Sequence, residues 1–238
     1  MTEQERWDRY YRRSRCTDAE TMELDGWPTD VTSVLDIGCG TGALVRSWAA
    51  RGVAATGLDV SREALVQAAR LTAPAVAPYC RWVQADWYRA DEVAAHITGT
   101  FDLVVSMMGP DFSTGDALER LLTYCKRYGR LLLFVGGDNE VAVAVARELS
   151  LPQEAVRTTL EMTAKQLRQR GMIPTVRHVD ESVVLSRSVP QWVSYLERIF
   201  PSAEPSALTA SVQRLADTQP TLHGRTTVTY AWVEWEMP

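Results

Sequence analysis

Carboxylates standing at the ends of short apolar runs are the chemically loaded residues of this 238-residue chain. Asp36 interrupts Val34-Leu35-Asp36-Ile37 and is followed by Gly38-Cys39-Gly40-Thr41-Gly42, three glycines at alternate positions. Asp59 ends the run Val53 to Leu58, and Asp86 ends the run Cys80 to Ala85. Glycines allow a sharp turn and let a ligand approach main-chain atoms that a side chain would shield. A carboxylate at a strand end can accept hydrogen bonds from both hydroxyls of a ribose. The pattern therefore calls for a nucleoside-bearing ligand above the first strands.

The charge of that ligand follows from Asp36. Gly38-x-Gly40-x-x-Ala43 also satisfies a permissive dinucleotide fingerprint, which needs a pyrophosphate at the helix start. A carboxylate beside two phosphates is unfavourable, whereas it suits a ligand with an ammonium and a sulfonium group. With this acid and glycine spacing the chain resembles the class I S-adenosylmethionine-dependent methyltransferases. The resemblance rests on motifs over residues 30 to 135 and on the order of elements elsewhere. It implies that Asp36 lies near the methionine amino group of S-adenosyl-L-methionine and that Gly38, Gly40 and Gly42 pass under the cofactor. Asp59 would hold the ribose, Asp86 the adenine amino group, and Trp87 would lie near the ring. The strand Phe101 to Ser106 matches the one whose end faces the transferred methyl, which places Ser106 at the site. Asp59 would also serve a nicotinamide cofactor. Each residue has a plainer competing reading: a helix cap for Asp59, a solvated loop acid for Asp86 and core packing for Trp87.

The expected activity is transfer of a methyl group to an O, N or C nucleophile of a small-molecule acceptor by in-line displacement. An RNA or protein acceptor is the alternative within the class. A nicotinamide-dependent oxidoreductase and a non-catalytic cofactor-binding subunit are alternatives outside it. The resemblance also implies that Ser106-Met107-Met108-Gly109-Pro110-Asp111-Phe112 faces the acceptor. This stretch lacks the Asn/Asp-Pro-Pro-aromatic signature that holds a planar amino nitrogen, which disfavours methylation of adenine or glutamine by that route. Its methionines and Phe112 suggest an apolar wall. Asp111, His178 and His223 are candidate bases or anchors; no catalytic residue is assigned, and Cys39 is not expected to act as a nucleophile.

Composition narrows the field further. A net charge of −5 gives no global attraction to nucleic acid. No apolar run approaches the roughly 20 residues that span a bilayer, and the charged start at Glu3, Glu5 and Arg6 lacks a signal-peptide core. The four cysteines, Cys16, Cys39, Cys80 and Cys125, form no C-x-x-C pair. A reduced, cytoplasmic setting without a metal site is the expectation, and no oligomeric state can be read.

The elements that must position these residues alternate as strand and helix up to about residue 150. Helices are expected from Thr41 to Ala50, from a cap at Ser61, around Leu118, Leu121, Leu122 and Cys125, and from Asn139 to Leu149. Arg130 to Val135 reads as a fifth buried strand; continuous apolar runs of this kind suit a parallel sheet covered on both faces. Beyond residue 150, helices are expected over Glu154–Arg170, Val189–Phe200 and Pro205–Ala216, with strands over Thr175–Ser186 and Thr226–Trp235. The expected fold is α/β: a doubly wound, mostly parallel seven-stranded sheet of Rossmann-like methyltransferase type, with an antiparallel late strand and extra C-terminal helices. Residues 1–238 are read as a single domain. Within it, residues 151–225 are substrate-covering insertions and residues 1–30 a helical lid or cap. Trp7, Tyr10 and Tyr11 fall at helical spacing there, beside Arg9, Arg12, Arg13 and Arg15. An amphipathic helix packed on the domain competes with the lid, and phosphate contact by the arginines is a weaker proposal.

Overall fold

A computed structural model describes residues 2–13, 22–113, 115–151, 158–200 and 202–238. In chain order the elements begin with α1 (Glu3–Arg13), β1 (Ser33–Ile37), α2 (Ala43–Ala49), β2 (Ala54–Asp59) and α3 (Arg62–Leu71). Next come β3 (Cys80–Gln84), α4 (Ala90–His96), β4 (Phe101–Met107), α5 (Gly115–Tyr124) and β5 (Cys125–Asn139). The chain continues with α6 (Glu140–Glu148), α7 (Thr158–Gln169), β6 (Thr175–Arg187), α8 (Val189–Ile199), α9 (Pro205–Ala216) and β7 (Leu222–Glu236). The seven strands form one sheet in the order β3-β2-β1-β4-β5-β7-β6. The residues fall into two compact units. One holds Met1–Leu133, Thr158–Arg177 and Ala231–Pro238; the other holds Phe134–Arg157 and His178–Tyr230.

In the first unit β1 pairs in parallel with β2 and β4, so that Asp36 stands opposite Gly57 and Val105. Successive β1 side chains alternate between two apolar clusters. Leu35 and Ile37 join Leu58, Val83 and Val104, whereas Val34 joins Leu44, Val45 and Trp48. A strand covered on both faces needs apolar residues at consecutive positions, which is why its sequence shows no alternation. Helix α2 begins at Ala43 rather than Thr41 because Gly40 and Gly42 adopt φ of 54° and 79°, outside the helical region. Helix α3 starts as expected, with Ser61 Oγ accepting the Ala64 N–H at 3.2 Å.

The late strands run longer than their sequence suggests. β5 takes in Gly129, where the missing side chain leaves room for the Trp235 indole to lie across the backbone. Arg130 pairs with Glu234, the Phe134 and Tyr230 rings meet at 6.4 Å, and Asn139 bonds Thr226. Rising numbers on β5 meet falling numbers on β7, so the pair is antiparallel. The same holds for β6 and β7, where Asp180, Ser182 and Ser186 bond Thr229, Thr227 and His223.

The second unit has its own apolar centre, in which Val141 and Val145 of α6 pack with Trp192, Leu196, Leu208 and Val212. Asn139 caps α6 by accepting the Ala142 N–H at 2.9 Å. Residues 154–157 of the expected helix over Glu154–Arg170 lie outside the described residues, as do Arg15 and Cys16.

Candidate functional site

A cavity of about 300 Å³ opens in the first unit where β1 to β4 end. Each wall comes from the loop that leaves one strand: Gly38 after β1, Asp59 and Val60 at the end of β2, Asp86 to Tyr88 after β3, and Met108 to Asp111 after β4. Glu3, Arg6, Trp7 and Tyr11 of α1 complete the lining. Four of the eight residues singled out in the sequence, Gly38, Asp59, Asp86 and Trp87, therefore converge on one space. Asp36, Gly40, Gly42 and Ser106 lie outside its lining.

Asp59 is buried, and each of its oxygens already accepts one main-chain N–H: Oδ2 from Gly40 at 2.8 Å and Oδ1 from Ser61 at 2.8 Å. Burial raises its pKa while these two bonds oppose the rise. A carboxylate oxygen has room for a second donor, so capping the loop and holding a ligand are compatible roles. Asp86 Oδ1 accepts the Tyr88 N–H at 2.9 Å. Trp87 is almost wholly buried; its Nε1–H donates to the Ala117 carbonyl at 3.2 Å, and its ring packs against Phe112 and Tyr124. It thus belongs to the core and the cavity lining together. Phe112, expected as part of an apolar wall, turns into that core, and Met108 lines the cavity instead.

Asp36 has the most unusual environment. It is 3% exposed, and no hydrogen bond or ion pair joins its carboxyl to another described residue. Burial, reinforced by the Asp59 charge, pushes its pKa up to about 8. A buried acid without a partner is costly when ionised; a cation placed beside it would remove that cost. Cys39 shares this environment, and burial followed by the Asp36 and Asp59 charges drives its thiol pKa well above the ordinary range, which does not suit a nucleophile.

Over the glycine loop the contacts are tight. Ser106 Oγ donates to the Ile37 carbonyl at 2.6 Å. A Cβ on Gly38 would stand 2.9 Å from Gly109 Cα, and one on Gly40 would stand 2.7 Å from the Tyr11 hydroxyl. Met108 reaches this loop with φ at 56°, a left-handed conformation that costs a side-chain-bearing residue roughly 1–2 kcal/mol.

Helix α1 is docked on α3. Asp8 Oδ1 accepts the Ser61 hydroxyl at 2.6 Å and the Glu63 N–H at 3.2 Å, and Gln67 Nε2 donates to the Tyr11 carbonyl at 2.7 Å. Among residues that sequence reasoning missed, Tyr88 links two strand exits, its hydroxyl accepting the Asp111 N–H at 2.7 Å. Both Asp111 oxygens accept from Ser113. The two histidines singled out as bases do not line the cavity: His178 lies on β6, and His223 Nδ1 meets Ser186 Oγ at 2.7 Å. Among the described residues no group of three potential metal ligands converges.

Residues 34–130 match the sequence model of a family described as a methyltransferase domain. Over these residues the chain is similar to a methyltransferase domain. The matched span runs from β1 into the start of β5, and so takes in β2, β3, β4, nearly all of β1 and every cavity residue apart from those of α1. A ubiquinone biosynthesis O-methyltransferase from Vibrio campbellii is 39% identical over 74 residues, which cover 31% of this chain and 30% of that protein. The corresponding protein of Vibrio parahaemolyticus matches to the same extent, so the match spans less than a third of these curated relatives. In solved structures, the chain is similar to a protein studied for the conversion of a disulfide bond into a thioacetal group during echinomycin biosynthesis. That likeness, at 17% identity and a TM-score of 0.51, covers 99% of this chain and 92% of the other, and it supports the methyltransferase domain's fold.

S-adenosylmethionine fits the residues this domain presents. The unpartnered Asp36 carboxyl calls for a cation, Asp59 and Asp86 keep acceptor capacity, and Leu58, Val60, Ala85 and Trp87 give the cavity apolar surface.

Proposed function

We propose that this chain methylates a small-molecule acceptor at an O, N or C nucleophile, with S-adenosyl-L-methionine as donor. When bound, this cofactor supplies a methyl group on a cationic sulfur. The convergence of Asp59 and Asp86 on one cavity, with the unpartnered Asp36 below the glycine loop, carries the reading. Asp59 would accept the ribose hydroxyls and Asp86 the adenine amino group, with the Trp87 edge beside the base. Asp36 would face the ammonium group. Gly38, Gly40 and Gly42 would let the main chain pass close under the donor, and Ser106 would fix the end of β4 against β1 through its bond to Ile37.

What the protein has to supply is alignment, worth about 7–11 kcal/mol in favourable cases. Tyr88 and Asp111 hold the β3 and β4 exits together across the cavity, which keeps the acceptor's surroundings in place. Helix α1 would act as a lid over both ligands. The net charge of −5 and the mixed lining, in which Arg6 stands beside Glu3, favour a small acceptor over RNA. The 39% identity to an O-methyltransferase over 74 residues points the same way.

Calorimetric titration with S-adenosylhomocysteine and NADH tests the donor. The first is expected to bind and the second not; the reverse outcome would make the chain a nicotinamide enzyme. Asp59→Ala should weaken S-adenosylhomocysteine binding roughly 10- to 100-fold through the loss of hydrogen bonds to a charged group. Unchanged affinity would remove the ribose assignment.

A further inference from the structure

Strand β6 ends the sheet, and among the described residues no strand pairs with its outer edge. Such an edge presents a row of unpaired N–H and C=O groups, which proteins commonly blunt with proline, lysine or a bulge. The stretch Glu181-Ser182-Val183-Val184-Leu185-Ser186-Arg187, all within the second unit, contains neither proline nor lysine. Val183 is 54% and Val184 58% exposed. Because successive residues of a strand point to opposite faces, both faces of the edge carry an uncovered valine.

The sequence of this edge is complementary to itself. A second copy laid antiparallel across a two-fold axis perpendicular to the sheet keeps each face on its own side. With the axis at Val184, that residue meets its own counterpart. Val183 then meets Leu185, Ser182 meets Ser186, and Glu181 meets Arg187. Arg187 is steadied by the rings of Tyr195 and Trp192, 4.5 and 5.2 Å from its guanidinium carbon. Moving the axis by one or two residues toward the N-terminus sets Glu181 opposite Leu185 or Val183, and moving it as far the other way sets Glu181 past the end of the strand at Arg187, so that in each case Arg187 loses its partner. One register alone buries both valines and pairs both charges.

We propose that the outer edge of β6 joins two copies of this chain into an isologous dimer, with Val184 on the two-fold axis and Glu181 paired to Arg187 across it. A single strand edge places such a contact at the small end of stable interfaces, below about 1,200 Å² in total, so the dimer should exchange with monomer at micromolar concentrations.

Sedimentation velocity on the full chain across micromolar concentrations should show a reversible dimer. Glu181→Arg sets arginine against arginine twice, once in each half of the interface, and should raise the dimer dissociation constant roughly tenfold or more. Combining Glu181→Arg with Arg187→Glu should restore dimerisation. Because Arg187 also stacks on Trp192, a cysteine test stands independently. Under mild oxidation Val184→Cys should form a disulfide dimer, whereas Glu181→Cys, which has no cysteine opposite it, should not. A monomer over the whole range, or equal cross-linking of the two cysteine variants, would overturn the proposal.

Discussion

Asp36 is a single carboxyl whose setting makes stability depend on pH in an uncommon direction. The ordinary value of its pKa is 3.8, and the fold raises it to about 8, chiefly through burial and secondarily through Asp59. The folded state therefore holds a proton that the unfolded state has already released. Its contribution to stability is complete below 3.8, declines as pH rises, and levels off only above about 8. Asp36→Asn keeps the shape and cannot ionise, so the variant's melting temperature should gain on the parent's as pH rises through that window in ligand-free protein. Parallel curves would mean that Asp36 is ionised throughout. Asp102 behaves in the opposite sense. Hydrogen bonds from Thr32, with Lys126 nearby, hold its pKa down to about 2. Its stabilisation is present above 3.8 and is lost as pH falls through about 2. Asp102→Ala should cost about 2 kcal/mol at neutral pH in urea unfolding, and this penalty should shrink in acid. A penalty that does not change with pH would assign the loss to packing.

Elements differ in how much of their role their own residues announce. β1, β2 and β4 were legible because burial on both faces makes them continuous apolar runs, and the glycine spacing marked the turn that follows β1. The limits of β5 and β7 were not, since both run on past their apolar stretches through residues that face polar neighbours, and Gly129 looked like a stop when it is a berth for Trp235. Asp59 and Asp86 were found from their strand-end positions. Tyr88 and Asp8 were not, because their contacts join residues 23 and 53 positions apart, and no local spacing reports such a pairing. Asp8 gives the N-terminal helix its firmest anchor, the bonds to Ser61 and Glu63 at the start of α3. Asp8→Ala should therefore loosen α1 more than it destabilises the fold, with a loss of about 1 kcal/mol. Proteolysis within residues 2–13 should quicken, and S-adenosylhomocysteine affinity should fall severalfold if α1 covers the donor. Faster cleavage with unaltered affinity would reduce α1 to a packing element.

At the scale of the whole molecule, chemistry and a second apolar centre are assigned to different parts of the chain. Every residue lining the cavity belongs to the first unit, whereas Trp192, Leu196, Leu208 and Val212 form a centre wholly within the second. Trp192 dominates that centre. It is fully buried, its Nε1–H donates to the Leu222 carbonyl at 2.9 Å, and Gly224 leaves room for its ring. Trp192→Ala should leave a large void and cost about 3–5 kcal/mol. Because the loss falls within one unit, hydrogen exchange should accelerate in α6, α8 and α9 and change little in β1 to β4. Below the melting transition, calorimetry should find S-adenosylhomocysteine affinity within about twofold of the parent, since Trp192 and the cavity lining share no packing partner within the second unit's apolar centre. A loss as large as that of Asp59→Ala would show that the donor site depends on the second unit's packing. Retained donor affinity with lost turnover would instead bring residues 178–230 into the handling of the acceptor.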